Sequence, residues 1–242
     1  GVIAMTLTGD ATNTLALAPR IDIKSISGSS TTIVDVTYGT QTWMDRNLGA
    51  RRVATAVNDV FSYGNHYQWG RPADGHEISV WNGTTRTAGR GLNNTTATLA
   101  TTDAPAQGDF ITNNSWPSDW RSDNNINRWA TVSQGPCPTG YHVPTNAEWD
   151  IADAYDNGVA TNGGGTTGWD NATETFDSDL KLSSAGYRTR TDGLLNNQGT
   201  SGLYWSSAVS GTNARLLFFN STAAFTADIH RALGLPVRCL KD

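Results

Sequence analysis

Two cysteines, Cys137 and Cys239, and four histidines, His66, His76, His142 and His230, carry most of the reactive chemistry available to this 242-residue chain. The cysteines could close one bridge around a loop of roughly 100 residues, worth up to about 4.7 kcal/mol in the chain-entropy model, or stay as two buried thiols. The histidines are scattered without metal-ligand spacing. His76-Glu77 is an imidazole beside a carboxylate, a weak metal or acid/base candidate, and it reads as an exposed loop pair. The run SDNNIN (Ser122 to Asn127) is as oxygen-rich as a calcium loop but lacks the EF-hand pattern. No Cys-x-x-Cys, His-Glu-x-x-His, phosphate-binding Gly loop or Gly-x-Ser-x-Gly elbow occurs. Glu148 lies three residues after Thr145, which makes it a helix cap before it is a catalytic acid. The residues assemble no catalytic constellation, so the expectation is a binding protein, with no catalytic or metal residue assigned and no cofactor beyond that calcium loop.

The elements that would carry these residues are short. The first 25 residues read as an N-terminal arm or leader, and residues 26–242 as the domain proper. TTIVDVTYGTQTWM alternates and turns at YGTQ, which predicts a hairpin. From about 83 to 128 the chain becomes polar and aperiodic, a long insertion that Trp116, Trp120 and Trp129 should pin to the body. PTNAEWDIADAYDNG predicts a helix with Trp149, Ala152 and Tyr155 on one face, stopped at Asn157-Gly158. Turns at Asp192-Gly193 and Asn197-Gln198-Gly199 separate strand-like pieces, including ARLLFF and LPVRCL, near the C-terminus.

Composition narrows the class. Apolar residues make up 37% and charged residues 16%, with 25 Gly and nine Trp, which suits a loop-rich β or mixed protein better than a helical bundle. A net charge of -5 without a basic stripe argues against nucleic acid as a partner. No apolar run approaches a membrane span, so no membrane insertion is expected. The opening GVIAMTLTGD lacks a basic n-region, so an export signal is absent or already removed.

Five stretches in order, QTWMDRNLGA, SYGNHYQWGRPADGHE, PCPTGYHVPTNAEWD, SSAGYRTRTDGLLNNQGTSGLYWSS and RALGLPVRCLKD, resemble the Fibrobacter succinogenes major paralogous domain, a branch of the C-type lectin-like fold. The resemblance is closest to variable proteins of diversity-generating retroelements. It implies an α+β C-type lectin-like fold: small antiparallel sheets, two helices, long irregular loops and termini that meet in one sheet. It also implies that Cys137 and Cys239 pair. Calcium-dependent sugar binding does not follow, because EPN, QPD and WND are missing. In such systems adenine mutagenesis of a template cannot yield Glu, Gln, Lys, Met or Trp from an Asn codon. None of these five occurs from Ser206 through Cys239.

The C-terminal strand then poses a question of orientation. Alternation assigns Leu217 and Phe219 to the core and turns Leu216 and Phe218 outward. Together with Phe225, Ile229 and Leu233 they would form an exposed apolar patch, with Asp228 and His230 adding polar specificity and Tyr204 extending it. By the family pattern the diversified positions, in a variable region at about 203–235, are Leu203, Ala208, Val209, Ser210, Leu216, Phe218, Ala223, Phe225, Ala227, Asp228, Ile229, His230 and Leu233. The competing reading buries the strand on both faces beneath the insertion. Trp43, Trp69, Trp149, Trp205 and Arg238 belong to the framework; Trp43 and Trp149 are core, and Arg238 pairs with a carboxylate or caps carbonyls. The implied function is a diversified ligand-binding surface on a virion, cell surface or released protein, directed at an unknown protein or cell-surface ligand, with no oligomeric state implied. The alternatives are a non-diversified adhesin or structural domain, and an enzyme of the formylglycine-generating type, which needs reactive cysteines.

Overall fold

The computed structural model describes residues 33–79, 94–105, 107–129, 135–155 and 168–242. The N-terminal arm (1–25), the first part of the insertion and the helix stop at Asn157-Gly158 lie outside these residues.

Strands β1 (Asp35–Tyr38) and β2 (Gln41–Met44) form the expected hairpin. Gly39, at φ +63°, supplies the left-handed residue of its two-residue turn. Short strands β3 (Tyr67–Gln68), β4 (Thr95–Thr96), β5 (Phe110–Ile111) and β6 (Tyr141–His142) follow. Helices α1 (Asn146–Ala154) and α2 (Ala172–Asp177) come next, then β7 (Tyr187–Arg188) and β8 (Leu195–Asn196). The long strands are β9 (Ser201–Ser210), β10 (Asn213–Asn220) and β11 (Ala224–His230), before β12 (Gly234–Leu235) and β13 (Leu240–Lys241). This is an α+β arrangement of small, mostly antiparallel sheets with two helices. The described helices include none long and apolar enough to cross a membrane.

One sheet runs β1-β2-β13-β6, so the last strand returns to the first hairpin. A second runs β11-β10-β9, and a third β3-β12-β7-β8. LPVRCL is not one strand: Pro236 to Cys239 crosses, buried, between the third sheet and the first. Cys137 and Cys239 form a disulfide that ties the segment before α1 to this crossing. Arg238 caps carbonyls and, among the described residues, forms no ion pair with a carboxylate. It donates to Leu180 O at 2.6 Å and to the Asn47 side chain at 3.0 Å.

Helix α1 begins as its residues require. Thr145 accepts from Glu148 N, and Glu148 accepts in return from Thr145 N at 2.6 Å, a complete capping box. Trp149 and Ala152 are buried on its inner face, and the exposed edge of Tyr155 packs against Tyr38.

Indole N–H groups join these parts. Trp149 donates to Trp205 O, Trp205 to Tyr67 O, Trp69 to Ser206 O and Trp120 to Trp69 O. Each of these four Trp residues thus carries both packing area and a satisfied donor, whereas the indole N–H groups of buried Trp43 and Trp129 meet no acceptor among the described residues. The insertion is not the structureless loop its composition suggests. From Asn94 onward it contains the parallel pair β4-β5 and is clamped at Asp119. That buried carboxylate receives two N–H groups from Arg128 and one from Arg231, and both guanidiniums lie over the Trp69 ring. Trp120 and Trp129 are buried as expected, whereas Trp116 is 80% exposed and pins nothing.

Removing one partner from a buried ion network leaves charges unpaired, so Asp119→Ala should cost about 3–5 kcal/mol of stability. Urea unfolding of the variant, with tryptophan fluorescence reporting release of the insertion, measures this.

Candidate functional site

The sheet β9-β10-β11 carries the residues singled out in the sequence. Its register sorts them by face: Phe218 lies opposite Phe225 and Leu203, and Leu216 opposite Ala227 and Trp205. Leu217 and Phe219 point to the other face, where they join Tyr204, Trp149, Leu180 and Leu182 in one core. The Phe219 ring lies directly over Gly202, where an added Cβ would sit 2.0 Å from it, so only glycine fits there.

The alternation is as expected, but the outward reading of the first face fails for four residues. Leu216 is 2% exposed, and Leu203 and Leu233 are equally shut in a second core with Trp69, Trp129, Val143 and Cys239. Trp129 comes from the end of the insertion and Cys239 from the disulfide, and these cover this end of the sheet. Tyr204 belongs to the opposite core, where its hydroxyl donates to Ser183 O and accepts from Ser183 N and Asn47. Leu203, Tyr204, Leu216 and Leu233 therefore have no surface from which to meet a ligand.

The outer half of the sheet remains open. Phe225 is 49% and Val209 40% exposed. Phe218, Ala227 and Ile229 are half-buried at the rim of the second core, with the Phe218 and Phe225 rings 5.0 Å apart. Ala208, Ser210, Ala223 and His230 are also half-buried, and Asp228 is exposed. On the opposite face Asp228 accepts from Arg215 at 2.8 Å and Ser210 at 2.6 Å, while Arg215 reaches Asn146 at the start of α1. Those donors hold the Asp228 carboxyl below its usual range, Ser210 first and Arg215 second. Arg215 was not singled out in the sequence; a lone charge within ARLLFF is the signal that marks it. Burial and then Arg190 keep the His230 pKa low, against the smaller opposing pull of the Pro117 carbonyl, so it presents a neutral ring at pH 7.

The other chemical candidates are structural. His76 and Glu77 are buried, not an exposed loop pair. With Asp74 they bring three potential metal ligands within 4.8 Å of one another. His76 Nε2 already accepts Gln68 N–H at 2.9 Å, and its Nδ1 lies 2.7 Å from Asp74. Arg71 binds the other Asp74 oxygen, so the cation that this cluster needs is in place. Burial pushes the His76 pKa down to about 3 and that of His66 down to about 4. In SDNNIN, Asp123 is engaged by Arg121 and by Asn125 N, which leaves its carboxylate committed within the loop. Both cysteines are in the disulfide, so neither offers a free thiol.

A family model described as the Fibrobacter succinogenes major domain matches residues 36–241. The chain belongs to this family. No curated protein and no solved structure matched it. The match runs from β1 into β13, so the open sheet, both cores and the insertion all lie within the family domain.

The two kinds of position should separate on mutation. Leu216→Ala should cost about 2–5 kcal/mol, as core truncations do, whereas Phe225→Ala should cost less than about 1 kcal/mol. Chemical denaturation of both variants measures the difference. The buried neutral histidines set an acid limit. The unfolded chain takes up protons near pH 6.5 while folded His66 and His76 do not, so their contribution is whole above pH 6.5 and is lost as pH falls toward about 4 and about 3 respectively. Urea midpoints should fall steadily from pH 6.5 to 4, and the fall should be shallower in His76→Gln.

Proposed function

We propose that this chain is a ligand-binding protein of the C-type lectin-like fold, with a diversified surface patch supplied by a diversity-generating retroelement. The single observation that carries the reading is the contrast within one sheet. Phe225, Val209, Asp228 and the half-buried Phe218, Ala227, Ile229 and His230 face solvent on β9, β10 and β11, while residues one or two positions away are sealed in two cores. A scaffold of that kind tolerates changes at its open positions, because the energy of the fold resides elsewhere.

Further support comes from the meeting of β13 with β2 and from the disulfide, both of which the C-type lectin-like resemblance implies. The absence of Glu, Gln, Lys, Met and Trp from Ser206 through Cys239 fits adenine mutagenesis of Asn codons. The pairing of both cysteines removes the thiol that formylglycine-type chemistry requires. The proposed contact set is Ala208, Val209, Ser210, Phe218, Ala223, Phe225, Ala227, Asp228, Ile229 and His230. Phe218 and Phe225 supply the aromatic anchor on one face of the sheet, and Asp228 and His230 offer polar contacts from its opposite face. Its target is a protein or cell-surface ligand, met from a virion or microbial surface or by the released protein.

Sequencing many copies of the gene and its flanks tests this. Substitutions should concentrate in the ten codons of that set and spare Leu203, Tyr204, Leu216 and Leu233. A reverse-transcriptase gene and a near-copy of the 3' end, differing at adenines, should lie nearby. Substitutions spread evenly along the chain, with no such near-copy, would leave a non-diversified surface domain instead.

A further inference from the structure

Strand β11 is the edge of its sheet, and it lacks the features that usually keep an edge from pairing. Its register with β10 runs unbroken from Ala224 to His230, without a bulge. The strand contains no lysine and no proline. Its one charge, Asp228, is directed inward along the sheet to Arg215 and Ser210. Among the described residues, no backbone hydrogen bond reaches Ala224 to Ile229 from the side away from β10. Cover begins only at the strand's end, where Pro117 meets the His230 ring and Ser118 O accepts from Ala232 N at 3.0 Å. A regular, uncovered edge with an exposed Phe225 is a template for another strand.

The side-chain order of this edge selects the strand that fits. Read outward from Ala227, the sequence is symmetrical in character: Thr226 and Asp228 are polar, and Phe225 and Ile229 are large and apolar. We infer that β11 pairs antiparallel with β11 of a second copy of this chain about a twofold axis at Ala227, joining two three-stranded sheets into one of six strands. Phe225 of each copy then lies beside Ile229 of the other on the apolar face, and Thr226 beside Asp228 on the polar face. No like charges oppose one another. Moving the axis one residue to Asp228 would set the two Asp228 carboxylates against each other, and moving it to Thr226 would place Ile229 opposite the small Ala223, outside the strand. The Ala227 register is the one that matches apolar to apolar and leaves the charge paired within its own copy. An isologous contact of this kind closes on itself, so it yields a dimer and not a filament.

This inference rests on the residues this chain carries at Phe225, Ala227, Asp228 and Ile229, four positions of the proposed contact set, but it does not require that they diversify. The exposed Phe218–Phe225 strips of the two copies would run on across the axis and present two binding patches on one continuous face, which gives avidity to a multivalent target.

Sedimentation equilibrium on the full chain tests the pairing. The protein should pass from monomer to dimer as concentration rises through the micromolar range. Phe225→Lys should raise the dissociation constant by about tenfold or more, with unchanged circular dichroism and melting. Ala227→Cys gives a second readout that needs no loss of function. The residue meets its own copy at the axis, so a reducible covalent dimer should form on mild oxidation, while Thr222→Cys in the neighbouring turn should not yield one. A wild-type mass that stays monomeric through the millimolar range would overturn the inference. So would a dimer that is indifferent to Phe225→Lys and is not trapped by Ala227→Cys.

Discussion

Strand β10 carries buried core side chains on both of its faces, and the rest of the domain is arranged around that constraint. Leu217 and Phe219 seal one core against α1, α2 and β2; Leu216 and Ala214 seal the other against the disulfide crossing and the Trp69 segment. A slip of one residue would exchange the two sets, so both cores specify the register together. Gly202 makes the specification sharper, because the Phe219 ring occupies the space any side chain there would need. The bulge of β9 between its pairings with Ala214 and Leu216 lets the strand bend before its exposed tip at Val209.

Two buried cores need two covers, and polar groups hold the second one in place. The insertion would gain little by packing a polar, aperiodic segment against the sheet. It is retained instead by Asp119 between Arg128 and Arg231, by guanidiniums stacked on Trp69 and Trp120, and by the Gln68 side chain bridging Ile111 and Ala232. Such networks stabilise modestly when complete and cost several kcal/mol when broken, so they fix the position of the insertion more than they raise overall stability. Among the described residues the cover stops short of β11, and the outer half of the sheet stays open.

That boundary separates framework from surface. On one side lie residues whose replacement leaves cavities; on the other lie Val209, Phe225 and Asp228, which neither core requires. The indole-to-carbonyl ties and the Cys137–Cys239 bridge hold the framework side of that boundary together without drawing on these three side chains.

Much of this was legible in the sequence. Local signals are short-range physics, so the capping box at Thr145 and Glu148, the Gly39 hairpin and the strand at ARLLFF could be read directly, and alternation along β10 sorted its side chains into two faces. The resemblance of five ordered motifs carried the disulfide and the meeting of the terminal strands. What alternation cannot reveal is whether the second face is covered, because that depends on segments distant in sequence. Trp129 and the Cys239 crossing reach Leu216, Leu203 and Leu233 but not Phe225, and no local pattern distinguishes these leucines from that phenylalanine. The same holds for His76 and Glu77, which look like a solvent-exposed pair until Asp74, Arg71 and Gln68 close around them. Along β10, alternation in the sequence determined which way the side chains point; only tertiary packing decided what, if anything, they meet there.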